Sequence, residues 1–200
     1  MKLFCTCSED TYITNKIIGD NKSHNANVGS AGTLDLFKLW GETLYRSSGN
    51  QDEVSRILLK FDFGKIKNKI SDDININSPK FNARLKLFDI TAGNVTPSNF
   101  TVMVTPLSQS FLEGSGKDVG SFSNIGMSNF LTASYLGGED VKWFVSGANA
   151  QGKLGAKNID HIVTADLDDG SGEVNIIASQ YFKTGTENLD IDITNVVSAS

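Results

Sequence analysis

Residues 55–63 read "SRILLKFDF", and this stretch decides the fold. Ile57, Leu59, Phe61 and Phe63 fall on one side of an extended chain, and Leu58, Lys60 and Asp62 on the other. A period of two is the signature of a strand with one buried face. The same rhythm returns in "FNARLKLFDI" (81–90), where Phe81, Ala83, Leu85 and Leu87 oppose Arg84, Lys86 and Phe88. It returns in "FTVMVTPL" (100–107), with Phe100, Val102 and Val104 inward, and in "NLDIDITNVV" (188–197), with Leu189, Ile191 and Ile193 inward. "KLFCTCS" (2–8), "TYIT" (11–14), "TLDLFKLW" (33–40), "HIVTADL" (161–167) and "EVNIIASQYF" (173–182) complete the strand set.

Helical spacing is scarce. "GKIKNKI" (64–70) has room for a turn or two, and "SNFLTASYL" (128–136) reads as a short helix or a strand. Many short strands without intervening helices predict an all-β, antiparallel sandwich rather than βαβ units. The chain carries 19 glycines, 18 asparagines and 21 serines against 3 prolines, which is turn chemistry. A long loop is expected at 19–32, and another, or a hairpin with an excursion, at 41–54. With no internal repeat and no linker-like break, 200 residues predict one domain spanning 1–200, either complete or the N-terminal part of a longer chain.

Charge narrows the function. Eighteen basic against 23 acidic residues give a net charge of −5, the wrong sign for a nucleic-acid or anionic-membrane partner. No apolar run is long enough to span a bilayer, and "MKLFCTCSEDTYI" (1–13) lacks the apolar core of a signal peptide. The sequons at Asn21, Asn94 and Asn99 carry little weight without secretion. Cys5 and Cys7, two apart in an extended segment, read as small buried-face residues and not as a disulfide. With only His24 and His161 besides, no soft metal site is expected.

Three stretches invite a chemical reading. "SQSFLEGSGKDVGSF" (108–122) contains G-S-G-K, but a phosphate loop would need glycine at Phe111 and a hydroxyl at Asp118. It therefore predicts a flexible connection. "DLDDGSGE" (166–173) gathers Asp166, Asp168, Asp169 and Glu173 in a calcium-like composition, but without EF-hand spacing, so a solvated hairpin turn is expected. Trp40, Tyr45, Tyr135 and Trp143 are the aromatics available for stacking on sugars, though packing is their commoner use. No nucleophile elbow or distinguishable carboxylate pair exists, so no catalytic residue, cofactor or metal ligand is assigned.

"SRILLKFDFGKI" (55–66), then "FNARLKLFDI", "SFLEGSGKDVGSF" and "NLDIDITNVV", resembles in order the core motifs of DNRLRE-type β-sandwich domains. In those domains R-x-L-[LI]-[KR]-F-D precedes A-x-L-x-L, and a late D-[VI]-T-x-[VL]-V follows. With "DTYITNKI" and "NVGSAGTLDLFKL", most of 9–197 is similar to structural proteins of marine tailed bacteriophages. The resemblance implies a jelly-roll-like sandwich of the carbohydrate-binding-module kind. It also implies a virion role in capsid decoration, neck, tail or fibre, made in the host cytoplasm and working by packing against copies of itself and other virion proteins. Outward apolar residues such as Leu58 and Phe88 would supply that packing. The alternative on the same fold is a non-catalytic glycan-binding module with exposed, coplanar Trp40 or Trp143. Such domains continue beyond their last motif where this chain reaches Ser198-Ala199-Ser200, which implies a sheet edge that a neighbour covers.

Overall fold

A computed structural model describes residues 2–19, 21–40, 52–64, 74–76, 78–90, 96–120, 126–167 and 170–198, excepting the Trp40 side chain. Among them are fourteen strands and one short helix, so the chain is all-β. The Cα trace groups into two compact units, each drawn from two chain segments. The first takes Met1–Lys65 and Gln109–Ala150, and the second Ile66–Ser108 and Gln151–Ser200.

The first unit is organised by β5 (Asp52–Lys60), flanked by β1 (Glu9–Thr14) and β4 (Lys38–Trp40), both antiparallel. All four residues of "TYIT" in β1 are buried, which makes this strand two-faced core. The phase of β5 differs from the expected one. Glu53, Ser55 and Leu58 are buried, whereas Ile57 and Leu59 are only half-buried. The reason is a change of neighbour along the strand: β4 covers Asp52–Val54, and β1 covers Ser55–Lys60. Leu58 is thus core and not an outward packing residue. Residues 2–7 do alternate in burial with Leu3, Cys5 and Cys7 inward, but outside any strand ladder. "TLDLFKLW" contributes only its last three residues, because Phe37 is bonded to Ser55 through both backbone and Oγ.

The stretch at 128–136 resolves as β8 (Thr132–Leu136), paired with β9 (Glu139–Lys142) in a hairpin turned by Gly137 and Gly138, both at positive φ. Within 19–32, β3 (Asn21–Lys22) pairs with β2 (Ile17–Ile18), and Ala26, Asn27 and Val28 are buried. That segment is core-forming rather than a free loop.

Among the described residues the second unit holds four ladders. β6 (Arg84–Leu87) pairs with β14 (Leu189–Asp192), and β7 (Phe100–Val104) with β13 (Ala178–Phe182). The expected alternation holds in β6 and β14, where Leu85, Leu189 and Ile191 are buried. In β7 and β13, Phe100 and Phe182 stack with centroids 5.0 Å apart. The other two join β11 (His161–Asp166) to β12 (Glu173–Asn175) and to β10 (Gln151–Lys153), around a core of Ile159, Ile162, Ala165 and Ile176.

Three departures from the sequence reading occur here. β10–β11 is parallel, against the expectation of antiparallel pairing throughout; Asn158 and Gly155, both at positive φ, reverse the chain within seven residues, 154–160. "EVNIIASQYF" breaks into β12 and β13 because Asn175 Oδ1 accepts the Ile177 N–H at 2.8 Å, an Asx turn. "NLDIDITNVV" ends as α1 (Thr194–Ser198), started by Asp192 Oδ1 accepting the Thr194 N–H at 2.9 Å. Residues 65–70 of the turn expected at 64–70 and 41–51 of the loop expected at 41–54 lie outside the described residues; Asp52, Glu53 and Val54 open β5 and are not loop.

Candidate functional site

The glycine stretch 113–117 is anchored, not flexible. Asn27, fully buried, donates through Nδ2 to the carbonyls of Glu113 (2.7 Å) and Ser128 (2.9 Å), and its Oδ1 accepts the Gly116 N–H (2.8 Å). Ser30 N–H donates to Gly116 O at 2.8 Å, and Asp10 N–H to Glu113 Oε1 at 2.8 Å. Glycine is required by proximity. A Cβ on Gly116 would sit 1.8 Å from Asn27 O, and one on Gly29 would sit 2.0 Å from Glu113 O. The backbone amide at Gly116 that a phosphate would use is therefore already engaged by a buried side chain.

In the acidic hairpin, Lys153 Nζ lies 2.9 Å from Asp166 and 3.6 Å from Glu173. The lysine is held above its usual pKa, first by the hydrogen bond to Asp166. A resident cation thus balances two of the four carboxylates; Asp168 and Asp169 lie outside the described residues. Among the described residues, no cluster of three or more metal-ligating side chains forms.

Trp143 is buried, with its Nε1–H donating to Asn129 O at 2.8 Å, so it offers no platform for a sugar. Tyr135 is exposed at the β8–β9 tip and donates its hydroxyl to Gly138 O at 2.7 Å. Tyr45 and the Trp40 side chain lie outside the described residues. Phe88 is exposed, as expected. Cys5 and Cys7 are free thiols, and burial pushes Cys7 up.

The second unit has one cleft of note among the described residues, about 430 Å³ beside α1, floored by Ile176 and Val196 and rimmed by Asn82, Asp192 and Thr194. Its rim is closed on itself. Asn82 Nδ2 donates to Asp192 Oδ2 at 2.9 Å and to Thr194 Oγ1 at 3.4 Å, and the Asp192 carboxyl is held below its usual range by its bonds to Thr194. Two further carboxylates are likewise occupied. Asp190 accepts from Lys86 Nζ (2.8 Å) and Arg84 Nε (2.7 Å), and these bonds, Lys86 first, hold it low. Glu187 accepts the N–H groups of Lys183, Thr184, Gly185 and Thr186 at 2.8–3.1 Å, and those bonds bring it down to about 2.

Gln180 went unnoticed in the sequence. Its Oε1 accepts the Asp190 N–H at 2.8 Å and its Nε2 donates to Asn188 O at 3.0 Å, so one side-chain amide joins β13 to β14 as a peptide group would. It lies on the same face of β13 as Ala178 and buried Phe182, where a period of two leads one to expect an apolar side chain. No helix among the described residues is long and apolar enough to cross a membrane. Comparison with protein-family models, with curated proteins and with solved structures finds no match.

Proposed function

We propose that the protein is a structural component of a bacteriophage particle, a jelly-roll-like sandwich that works by packing against copies of itself and other virion proteins. The observation that carries this reading is the direction of the buried polar side chains. Asn15, Asn27 and Asn129 are buried, and each is bonded to backbone groups of its own unit instead of converging on a cleft. A reactive site needs polar groups held for a substrate; an adhesive scaffold needs rigid loops and exposed apolar surface. Phe88, Met103 and Tyr181 supply such surface in the second unit. The resemblance to tailed-phage structural proteins points the same way. The glycan-binding alternative is weakened by the burial of Trp143. Mass spectrometry of purified phage particles tests the proposal: the expected result is peptides of this chain at a fixed ratio to the major capsid protein, and their absence from intact particles overturns it.

A further inference from the structure

β7, β13, β14 and β6 lie side by side in the second unit, with the Gln180 amide joining the two ladders. Among the described residues this array ends at β7 on one side and at β6 on the other; three residues past β7, Leu107 bridges to His161 of β11, and Phe100–Val104 themselves pair with β13 alone. Among the described residues no strand pairs with the outer edge of either. An open edge presents unpaired N–H and C=O groups to any passing chain, and proteins guard it with charge.

The two edges are guarded differently. β6 carries exposed Arg84 and Lys86, and two copies meeting there would set like charges opposite each other. β7 carries no charged guard of its own among the described residues. There is no charged residue and no histidine from Ile90 through Leu112, and "FTVMV" is built of strong strand formers. Pro97 and Pro106 lie outside the strand, so all five of its N–H groups are present. On the outer face, Met103 is 68% exposed and Tyr181, opposite Thr101 on β13, is 59% exposed.

We infer that the free edge of β7 pairs antiparallel with β7 of a second copy across a two-fold axis. Directly opposed residues must share a face, so the axis lies level with one residue, between it and its own counterpart in the second copy. Centred on Val102, the pairing sets Thr101 opposite Met103 of the second copy, and Phe100 opposite Val104 of the second copy. The outer face then runs Tyr181, Thr101, and Met103 and Ser179 of the second copy, with no charge in the row. A second copy is favoured over β6 of another molecule because β6 would bring Arg84 and Lys86 against a neutral, apolar edge that offers them nothing. A two-fold interface uses up the edge, so assembly through it stops at two. Five residues bury far less than the roughly 1,200 Å² of a standard interface, so the dimer is weak and concentration-dependent in solution.

The inference names the self-contacting surface of the packing role proposed above, but it is tested separately. Sedimentation equilibrium of the full chain over a wide concentration range should show monomer and dimer only. Met103→Lys, at an exposed position, should fold normally and weaken dimerisation about tenfold or more, whereas Lys86→Ala at the other edge should leave it unchanged. In a Cys5→Ser/Cys7→Ser background, Thr101→Cys with Met103→Cys should give an interchain disulfide dimer on mild oxidation. A monomer at every concentration, a polymer, or a dimer indifferent to M103K with no crosslink overturns the pairing. A monomer found in particles sinks the pairing alone; a β7-paired dimer missing from particles sinks the virion role alone.

Discussion

Replacing Asn27 by alanine should be among the most damaging single truncations in the first unit. Asn27 has no solvent exposure, and its amide satisfies two carbonyls and one N–H of three separate residues, Glu113, Ser128 and Gly116. Removing it strands all three. The bonds to Ser128 and Gly116 are buried and the one to Glu113 partly so. At about 1–3 kcal/mol per stranded buried group, with solvent relieving part of the third, the loss is about 3–5 kcal/mol. That is a large share of the stability of an ordinary domain. Asn27→Asp should cost more than alanine at neutral pH, because it retains the acceptor for Gly116 but turns a carboxylate towards two carbonyl oxygens. Gly116→Ala should be no milder, since its methyl would lie 1.8 Å from Asn27 O. Urea denaturation followed by tryptophan fluorescence reports on this unit through buried Trp143. If N27A and G116A both changed stability by less than about 0.5 kcal/mol, the range of an inert surface change, the glycine stretch would be a slack connection after all.

Gln180→Ala should lower the melting temperature of the second unit, since two partly solvated hydrogen bonds at about 0.5–1.5 kcal/mol each are lost; Gln180→Glu should be worse, placing a carboxylate over the Asn188 carbonyl. Glu187, lowered from 4.5 to about 2, should hold its loop at neutral pH and release it as pH falls from about 4.5 through 2, read by the amide shift of Gly185 in NMR; Glu187→Gln should abolish that transition. His24, stacked on Phe130, is lowered by burial and then by Lys22. Its neutral form is favoured in the folded state, so its contribution is present above pH 6.5 and is lost as pH falls below that value; His24→Phe should flatten this part of the stability–pH curve. A chelator should leave the melting temperature of the wild type unchanged, because Lys153 already serves Asp166 and Glu173; a clear drop would place a metal in the acidic hairpin.

Strand content was legible wherever one face alone is buried. In 81–87 and 100–104 the alternation of Leu85 and Leu87, or of Phe100, Val102 and Val104, survives intact because each strand has a ladder partner on one edge only. It failed in β5, a central strand whose two partners cover different halves, so that Leu58 is core while Ile57 is not. Breaks inside strands were missed because they are made by single side chains. Asn175 stops β12, and Asp192 starts α1, with nothing in hydrophobic spacing to announce either. The glycines at 114 and 116 read as a flexible connection, and the reason they are glycines was hidden, since it lies in Asn27, some 89 residues away in sequence from Gly116.

Asparagine abundance has a different meaning once these bonds are seen. Read as composition, it signals loops. In the folded chain, Asn15 spans Val54 N–H and Asp52 O, Asn129 accepts from both Leu131 and Thr132, and Gln180 bridges two strands; each amide stands in for a missing stretch of ladder. A carboxamide offers a donor and an acceptor at the spacing of a peptide group without charge, so it can be buried at little cost when both ends are met. Short strands in small sheets leave many backbone groups to satisfy, and such amides satisfy them from a distance. Asn15, Asn27, Asn129 and Gln180 are held in this way within their own units. The dimer inferred above draws on other groups, the backbone at the edge of β7 with exposed Met103 and Tyr181 beside it.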